Sequence, residues 1–314
     1  MKIAVLEKDS VSRGDIDFSR LESVAEIDYF GRVDKDKVIE TVNGYDGIII
    51  NKTVIDRAVI DSCPSLKYVG LFATGYNNVD ISYAAEKGIT VCNVAGYSTD
   101  SVAQHVFAFI LMVASSLEKY VASVDAGDWK RCASFCYYPY PINELKGKTL
   151  GILGYGSIGK RVAQIADVFG MNVIVHSRRN NCEPYRFVSK EELFAQCDYL
   201  SVHCPLTKET DKIVDKASIE LMKPTAVIIN TARGGVVDER ALADALKNKR
   251  IFAACVDTIS FEPMRDDCPL FGIENCYITP HVAWAAKETR QRLVDIAADN
   301  IGSFLNGSPQ NKVN

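Results

Sequence analysis

The chain has 314 residues, 47% of them apolar and 24% charged, with 36 Lys and Arg against 40 Asp and Glu and a formal net charge of -4. That length accommodates two domains, each with its own core, and the negative balance excludes a general electrostatic field for nucleic acid. No apolar run approaches the roughly 18 residues of a membrane span, and residues 2–6 read as a strand instead of a secretory leader, so the cytoplasm is the expected compartment and no membrane partner is expected.

In chain order, residues 3–6, 48–51, 68–71 and 90–92 read as short buried strands separated by helix-like segments, a small α/β unit with a parallel sheet. Polar loops follow three of these strands: Asn51-Lys52, residues 73–78 around Thr74-Gly75, and residues 96–99. Ligands of open α/β sheets bind outside the carboxyl ends of the strands, which makes these loops candidates for substrate contact. For Thr74-Gly75 a plain turn and a pair of amides capturing an anion remain open on spacing alone. Residues 98–117 read as a long helix capped by Ser98 or Thr99, with an apolar body in which His105 reads as a satisfied core histidine. Residues 125–145 read as an irregular arm carrying Trp129, Phe135, Tyr137, Tyr138 and Tyr140 among prolines, an arm expected to be buried by a second subunit.

The stretch 149–159 is strand, tight turn, helix. Gly154, Gly156 and Gly159 stand on a G-x-G-x-x-G spacing: the first for the turn, the second for approach of backbone amides to a pyrophosphate, the third for helix–strand packing. The helix start offers N–H groups and the positive dipole end to phosphates. With residues 171–176, 199–203, 226–230, 253–256 and 277–279, the strand 149–153 makes six, the number of a doubly wound dinucleotide domain. Residues 287–305 read as a charged helix returning to the first unit, with the 306–309 tail ending the fold. Ten cysteines are scattered without a C-x-x-C pair, and Cys132 and Cys136 lack a second pair or nearby histidine, so reduced thiols and no metal are expected.

Three strand ends carry chemistry. The glycine turn after Asn230 holds the Arg233 guanidinium, a planar fork suited to a carboxylate. Glu262 lies in the loop after residues 253–256, and His281 follows Thr279-Pro280. If that loop folds back, Glu262 bonds one imidazole nitrogen, favours the protonated ring and leaves the other nitrogen to face substrate.

These motifs, Gly154-Tyr155-Gly156-Ser157-Ile158-Gly159, His203-Cys204-Pro205-Leu206-Thr207, Asn230-Thr231-Ala232-Arg233-Gly234-Gly235, Asp257 with Glu262-Pro263, and Thr279-Pro280-His281-Val282-Ala283-Trp284, stand in order over nearly the whole chain. In them the sequence resembles the D-isomer-specific 2-hydroxyacid dehydrogenases, most closely the glycerate dehydrogenase and hydroxypyruvate (glyoxylate) reductase branch. The resemblance implies an α/β fold of two doubly wound parallel-sheet domains: a flavodoxin-like substrate domain, residues 1–98 plus 287–314, and a Rossmann domain, residues 99–286. It implies that Arg233 binds the 2-keto acid, that His281 exchanges the proton at C2 with support from Glu262, and that Asp257 contacts the nicotinamide end. Cofactor contacts are implied for Gly154, Tyr155, Gly156, Ser157, Ile158, Gly159, His203, Cys204, Pro205, Thr210, Thr231 and Ala232, and are expected from the residues themselves for Ser177, Arg178 and Arg179. Substrate contacts are implied for Asn51, Lys52, the Thr74 and Gly75 amides and Trp284, and a homodimer through the cofactor domain.

The departure lies about 20 residues past the glycines, where NAD enzymes keep an acidic residue for the ribose 2′-hydroxyl. Here Ser177-Arg178-Arg179 replaces it, so NADP(H) is expected over NAD(H). Gln104, where many relatives carry Glu, is a second departure. The alternatives are an NAD(H)-sensing binding protein of the same fold, a dehydrogenase for a larger 2-hydroxy acid or phosphoglycerate, and formate dehydrogenase; the last is disfavoured because formate oxidation needs no general acid.

Overall fold

The structure is a computed structural model that describes residues 1–178 and 183–314. The chain divides into two compact units, residues 1–98 with 284–314, and residues 99–283. The second crossing therefore falls at Trp284, three residues before the expected 287.

The smaller unit holds five parallel strands, β1 (Lys2–Val5), β2 (Glu26–Tyr29), β3 (Gly47–Ile50), β4 (Tyr68–Leu71) and β5 (Thr90–Cys92), in the order β2-β1-β3-β4-β5. This is the flavodoxin-like order, with its switch point between β1 and β3. Period-two side chains divide between two cores: Ala4, Leu6, Ile48, Ile50, Val69 and Leu71 join one, and Ile3, Val5, Ile49 and Tyr68 join the other. The second core is closed by the helix Lys287–Leu305 through Leu293, Val294, Ala297, Ala298 and Ile301.

Two expectations are corrected in this unit. β2 is a fifth strand that no apolar run announces, because it is an edge strand of sequence Glu-Ile-Asp-Tyr whose pairing comes from β1. The chain also does not end its fold at 309: Lys312 bridges Cys92 antiparallel and the Val313 amide donates to the Val91 carbonyl at 2.9 Å, covering the outer edge of β5.

The larger unit opens with helix Thr99–Ser115, the helix expected at 98–117 ended two residues early by a break at Ser116 (φ 48°), and a further helix, Leu117–Asp125, follows that the sequence did not announce. A short helix, Asp128–Arg131, interrupts the arm expected to be wholly irregular. Its sheet contains β6 (Thr149–Leu153), β7 (Asn172–His176), β8 (Arg186–Phe187), β9 (Tyr199–Val202), β10 (Val227–Asn230), β11 (Ala253–Val256) and β12 (Cys276–Ile278), ordered β12-β11-β10-β9-β6-β7-β8 and parallel throughout. The order reverses at β6/β9, where a doubly wound sheet opens its ligand crevice. β8 makes seven strands in place of six; its two exposed residues give no sequence signal. Ala103, Val106, Phe107 and Ile110 of the first helix pack on Leu150, Ile152, Val227 and Ile229 at one face, and Phe194, Ile219, Leu242 and Leu246 cover the other.

Candidate active site

All strands of the larger sheet run the same way, so the residues following β6, β7, β9, β10, β11 and β12 gather at one edge. The three glycines there divide by cause. Gly154 has φ 98°, and a Cβ on it would stand 2.6 Å from the Cys204 nitrogen, so the turn presses on the end of β9. A Cβ on Gly159 would stand 2.3 Å from the Gly154 oxygen. Gly156 has φ −82°, and nothing lies within 4 Å of where its Cβ would be. Neither backbone conformation nor internal packing calls for a glycine at that position, whereas a phosphate approaching the start of helix Ser157–Val168 does. That helix has no side-chain cap bond at its N-cap. The residues therefore fit a dinucleotide. Tyr155, between Gly154 and Gly156, is braced edge-to-face on Tyr185 at 6.1 Å.

Ser177 and the exposed Arg178 follow β7, and Arg179 lies outside the described residues. The Glu209 carboxyl is held below its ordinary range by the Thr207 hydroxyl bond at 2.7 Å and, less strongly, by the charge of Arg178. After β9, His203 bonds Ser201 Oγ at 2.8 Å, and burial pushes its imidazole down to about 3, so it is neutral. Cys204 is buried, with its thiol pushed up to about 11, and the Thr210 hydroxyl donates to the Pro205 carbonyl at 2.5 Å, so Thr210 ties the turn from Pro205. Thr231 places a buried hydroxyl without a partner among the described residues, next to Ala232.

Arg233 is exposed at the end of a turn that Asn230 clamps: the Asn230 Nδ2 donates to the Arg233 carbonyl at 2.9 Å, and Asn230 Oδ1 accepts from the Ala232 amide at 3.0 Å. A Cβ on Gly234 would stand 2.0 Å from the Ile259 carbonyl carbon, so this turn packs directly on the loop that leads to Glu262. Glu262 folds back as expected: its Oε2 lies 2.7 Å from Nδ1 of His281, while Oε1 accepts from the Ile259 amide at 3.3 Å. The ring bond to a carboxylate assigns the Nδ1 proton to that contact and turns Nε2 away from Glu262.

Asp257 is 2% exposed and grips the loop bearing His281. Its Oδ1 accepts from the Val282 amide at 2.8 Å and the Thr279 hydroxyl at 2.6 Å, its Oδ2 from the Ala283 amide at 2.9 Å, and its carbonyl from the His281 amide at 2.9 Å. His281 itself has φ 54°, a left-handed conformation uncommon outside glycine and asparagine.

In the smaller unit the Glu7 carboxylate, which no sequence signal singles out, occupies the β1/β3 switch point. Its Oε2 accepts from the amides of Asn51, Lys52 and Thr53 at 3.0, 2.8 and 2.9 Å and from the Thr53 hydroxyl at 2.9 Å. Asn51 also donates from Nδ2 to Ser10 Oγ at 3.1 Å, so of the pair Asn51-Lys52 it is the exposed Lys52 side chain that projects. At the end of β4 the Thr74 hydroxyl bonds the Val94 carbonyl at 2.9 Å and the Thr74 carbonyl accepts from Asn93 at 2.7 Å, which orients the turn bearing Gly75. Trp284 packs edge-to-face on Tyr97 at 6.4 Å. Gln104 is exposed, and nothing in the structure explains its difference from Glu. Among the described residues no group of His, Cys, Asp and Glu is arranged to hold a metal.

A family model described as "D-isomer specific 2-hydroxyacid dehydrogenase, NAD binding domain" matches residues 107–283. A hydroxypyruvate reductase of Blautia hydrogenotrophica is 41% identical over 321 residues, all of both chains, and a glycerate dehydrogenase of Methylorubrum extorquens is 38% identical over 88% of each. Among solved structures, an NADPH-dependent glyoxylate/hydroxypyruvate reductase of Sinorhizobium meliloti, in complex with NADP and malonate, superposes with a TM-score of 0.84 at 29% identity, over 99% of this chain and 96% of that one.

Proposed function

The chain belongs to the D-isomer-specific 2-hydroxyacid dehydrogenases, NAD(P)-dependent oxidoreductases, and from that membership we propose that it reduces hydroxypyruvate or glyoxylate to the D-2-hydroxy acid with NADPH, His281 acting as acid. The His281–Glu262 contact at 2.7 Å, beside the Arg233 turn on the edge where the dinucleotide loop stands, is the observation that carries the reading. The bound nicotinamide supplies the hydride. Arg233 pairs with the substrate through its guanidinium fork, the Thr74 and Gly75 amides take the carboxylate, and Lys52 and Trp284 complete the substrate contacts. His281 donates from Nε2 to the carbonyl oxygen as charge develops there, while Glu262 holds the ring and balances the imidazolium before proton loss. Arg178 with Arg179, and no carboxylate at the end of β7, supports a 2′-phosphate. The exposed aromatic arm supports a homodimer through the cofactor domain, and the absence of a single described helix long and apolar enough to cross a membrane is compatible with a cytoplasmic enzyme.

Steady-state kinetics on hydroxypyruvate, glyoxylate and larger 2-keto acids with both cofactors test this. Expected are turnover of the two small acids, a higher kcat/KM with NADPH, and a rise on the order of tenfold in the NADPH KM, not the NADH KM, for Arg178→Ala. His281→Ala is expected to lower kcat by about 10²- to 10⁴-fold at unchanged cofactor KM. A clear NADH preference overturns the cofactor assignment; a folded protein that turns over no 2-keto acid overturns the enzyme and favours a sensor.

A further inference from the structure

A second histidine, which the proposed reaction does not use, reaches Thr279, two residues before His281. His105 sits on helix Thr99–Ser115 with its ring edge-to-face on Phe109 at 4.6 Å, and its Nε2 lies 3.1 Å from Thr279 Oγ1. The Thr279 hydroxyl donates to Asp257 Oδ1 at 2.6 Å. A hydroxyl has one hydrogen, so with that hydrogen given to Asp257 the ring nitrogen must be the donor to Thr279. This requires an Nε2–H imidazole, and burial holds His105 below its ordinary value, which outweighs the opposing pull of Asp257. The chain of bonds then runs His105 to Thr279 to Asp257, and Asp257 takes the Val282 and Ala283 amides on its carboxylate and the His281 amide on its carbonyl. Those three amides bracket the residue with φ 54°.

We propose that His105 and Thr279 are positioning residues that act through Asp257 to hold the His281 backbone in its left-handed conformation and so aim the imidazole at the substrate. The proposal rests on His281 being the acid/base. A displacement of about 1 Å at a reacting group costs on the order of 10²-fold in rate.

The test is steady-state kinetics with thermal unfolding on His105→Leu, His105→Gln, Thr279→Val and Thr279→Ser, beside His281→Ala. Leu and Val remove the donors; Gln keeps an N–H and Ser keeps the hydroxyl. His105→Leu and Thr279→Val are expected to lower kcat on the order of 10- to 100-fold with cofactor and substrate KM nearly unchanged, and Gln and Ser to restore most of it. Full kcat in His105→Leu and Thr279→Val overturns the proposal, as does a folded Gln or Ser variant no more active than its Leu or Val counterpart. If His281→Ala is inactive while His105→Leu is normal, the positioning role alone fails; if His281→Ala keeps its turnover, the acid/base assignment fails.

Discussion

A histidine enclosed in the fold ties stability to acidity. His203 is pushed down to about 3 by burial, while in an unfolded chain a histidine titrates near about 6.5. Between those values the unfolded state binds more protons, so the stability linked to a neutral His203 is complete above about pH 6.5 and is lost as the pH falls towards about 3, at up to about 1.4 kcal/mol per pH unit. His105 is shifted the same way, by burial against the charge of Asp257. The melting temperature is therefore expected to fall steadily between pH 6 and 4, and less steeply in His203→Gln; equal slopes in the two proteins would show that His203 is not among the groups responsible. At this scale the sequence showed which residue types stand at the strand ends, and gave the Glu262–His281 pair only on condition that the loop folds back. Arg233, Glu262 and His281 were legible because each follows a strand of one sheet. Glu7 and the bond from His105 to Thr279 were not, because both join positions far apart in the chain.

At the scale of elements, the glycine loop makes a sharper statement than its spacing did. The motif assigns Gly159 to packing and Gly156 to the phosphate, and the structure separates them in the same way: a Cβ meets the Gly154 oxygen at 2.3 Å in the first case and open space in the second. Gly156→Ala is expected to leave thermal unfolding within about a degree or two of the parent while raising the cofactor KM on the order of tenfold or more, because the added methyl stands where a phosphate approaches. Gly159→Ala should lower the melting temperature, since backbone has to move. Calorimetry with cofactor titration checks both, and a Gly156→Ala protein with normal cofactor affinity would remove the phosphate from that position. Central strands such as Gly47–Ile50 and Val227–Asn230 were legible as buried apolar runs. The edge strands Glu26–Tyr29 and Arg186–Phe187 were not, because an edge strand takes its conformation from the neighbour it pairs with. The helix break at Ser116 falls within a residue of the expected end and is held by a bond from Ser116 Oγ to the Pro141 carbonyl at 2.7 Å, a partner 25 residues away that the sequence does not show.

For the molecule as a whole, the arm 125–145 leaves Trp129, Phe135, Tyr138 and Ile142 at 50%, 87%, 78% and 61% exposure, more apolar side chain in one segment than a monomer ordinarily leaves in water. Sedimentation is expected to find a dimer, and Phe135→Glu with Tyr138→Glu to convert it to monomer; a parent protein that sediments as a monomer at micromolar concentration would overturn the homodimer. What the sequence determined by itself was periodicity, glycine spacing and the order of strand ends, since these are local properties of the chain, and with them the α/β class and the dinucleotide loop. Tertiary structure alone decided that the Glu262 loop turns back onto His281, that Asp257 spends both oxygens on the loop behind it, and that Gly156 faces open space. Each of these depends on a distance between residues separated in sequence, and such a distance exists only once the sheet has brought the ends of its strands to a single edge.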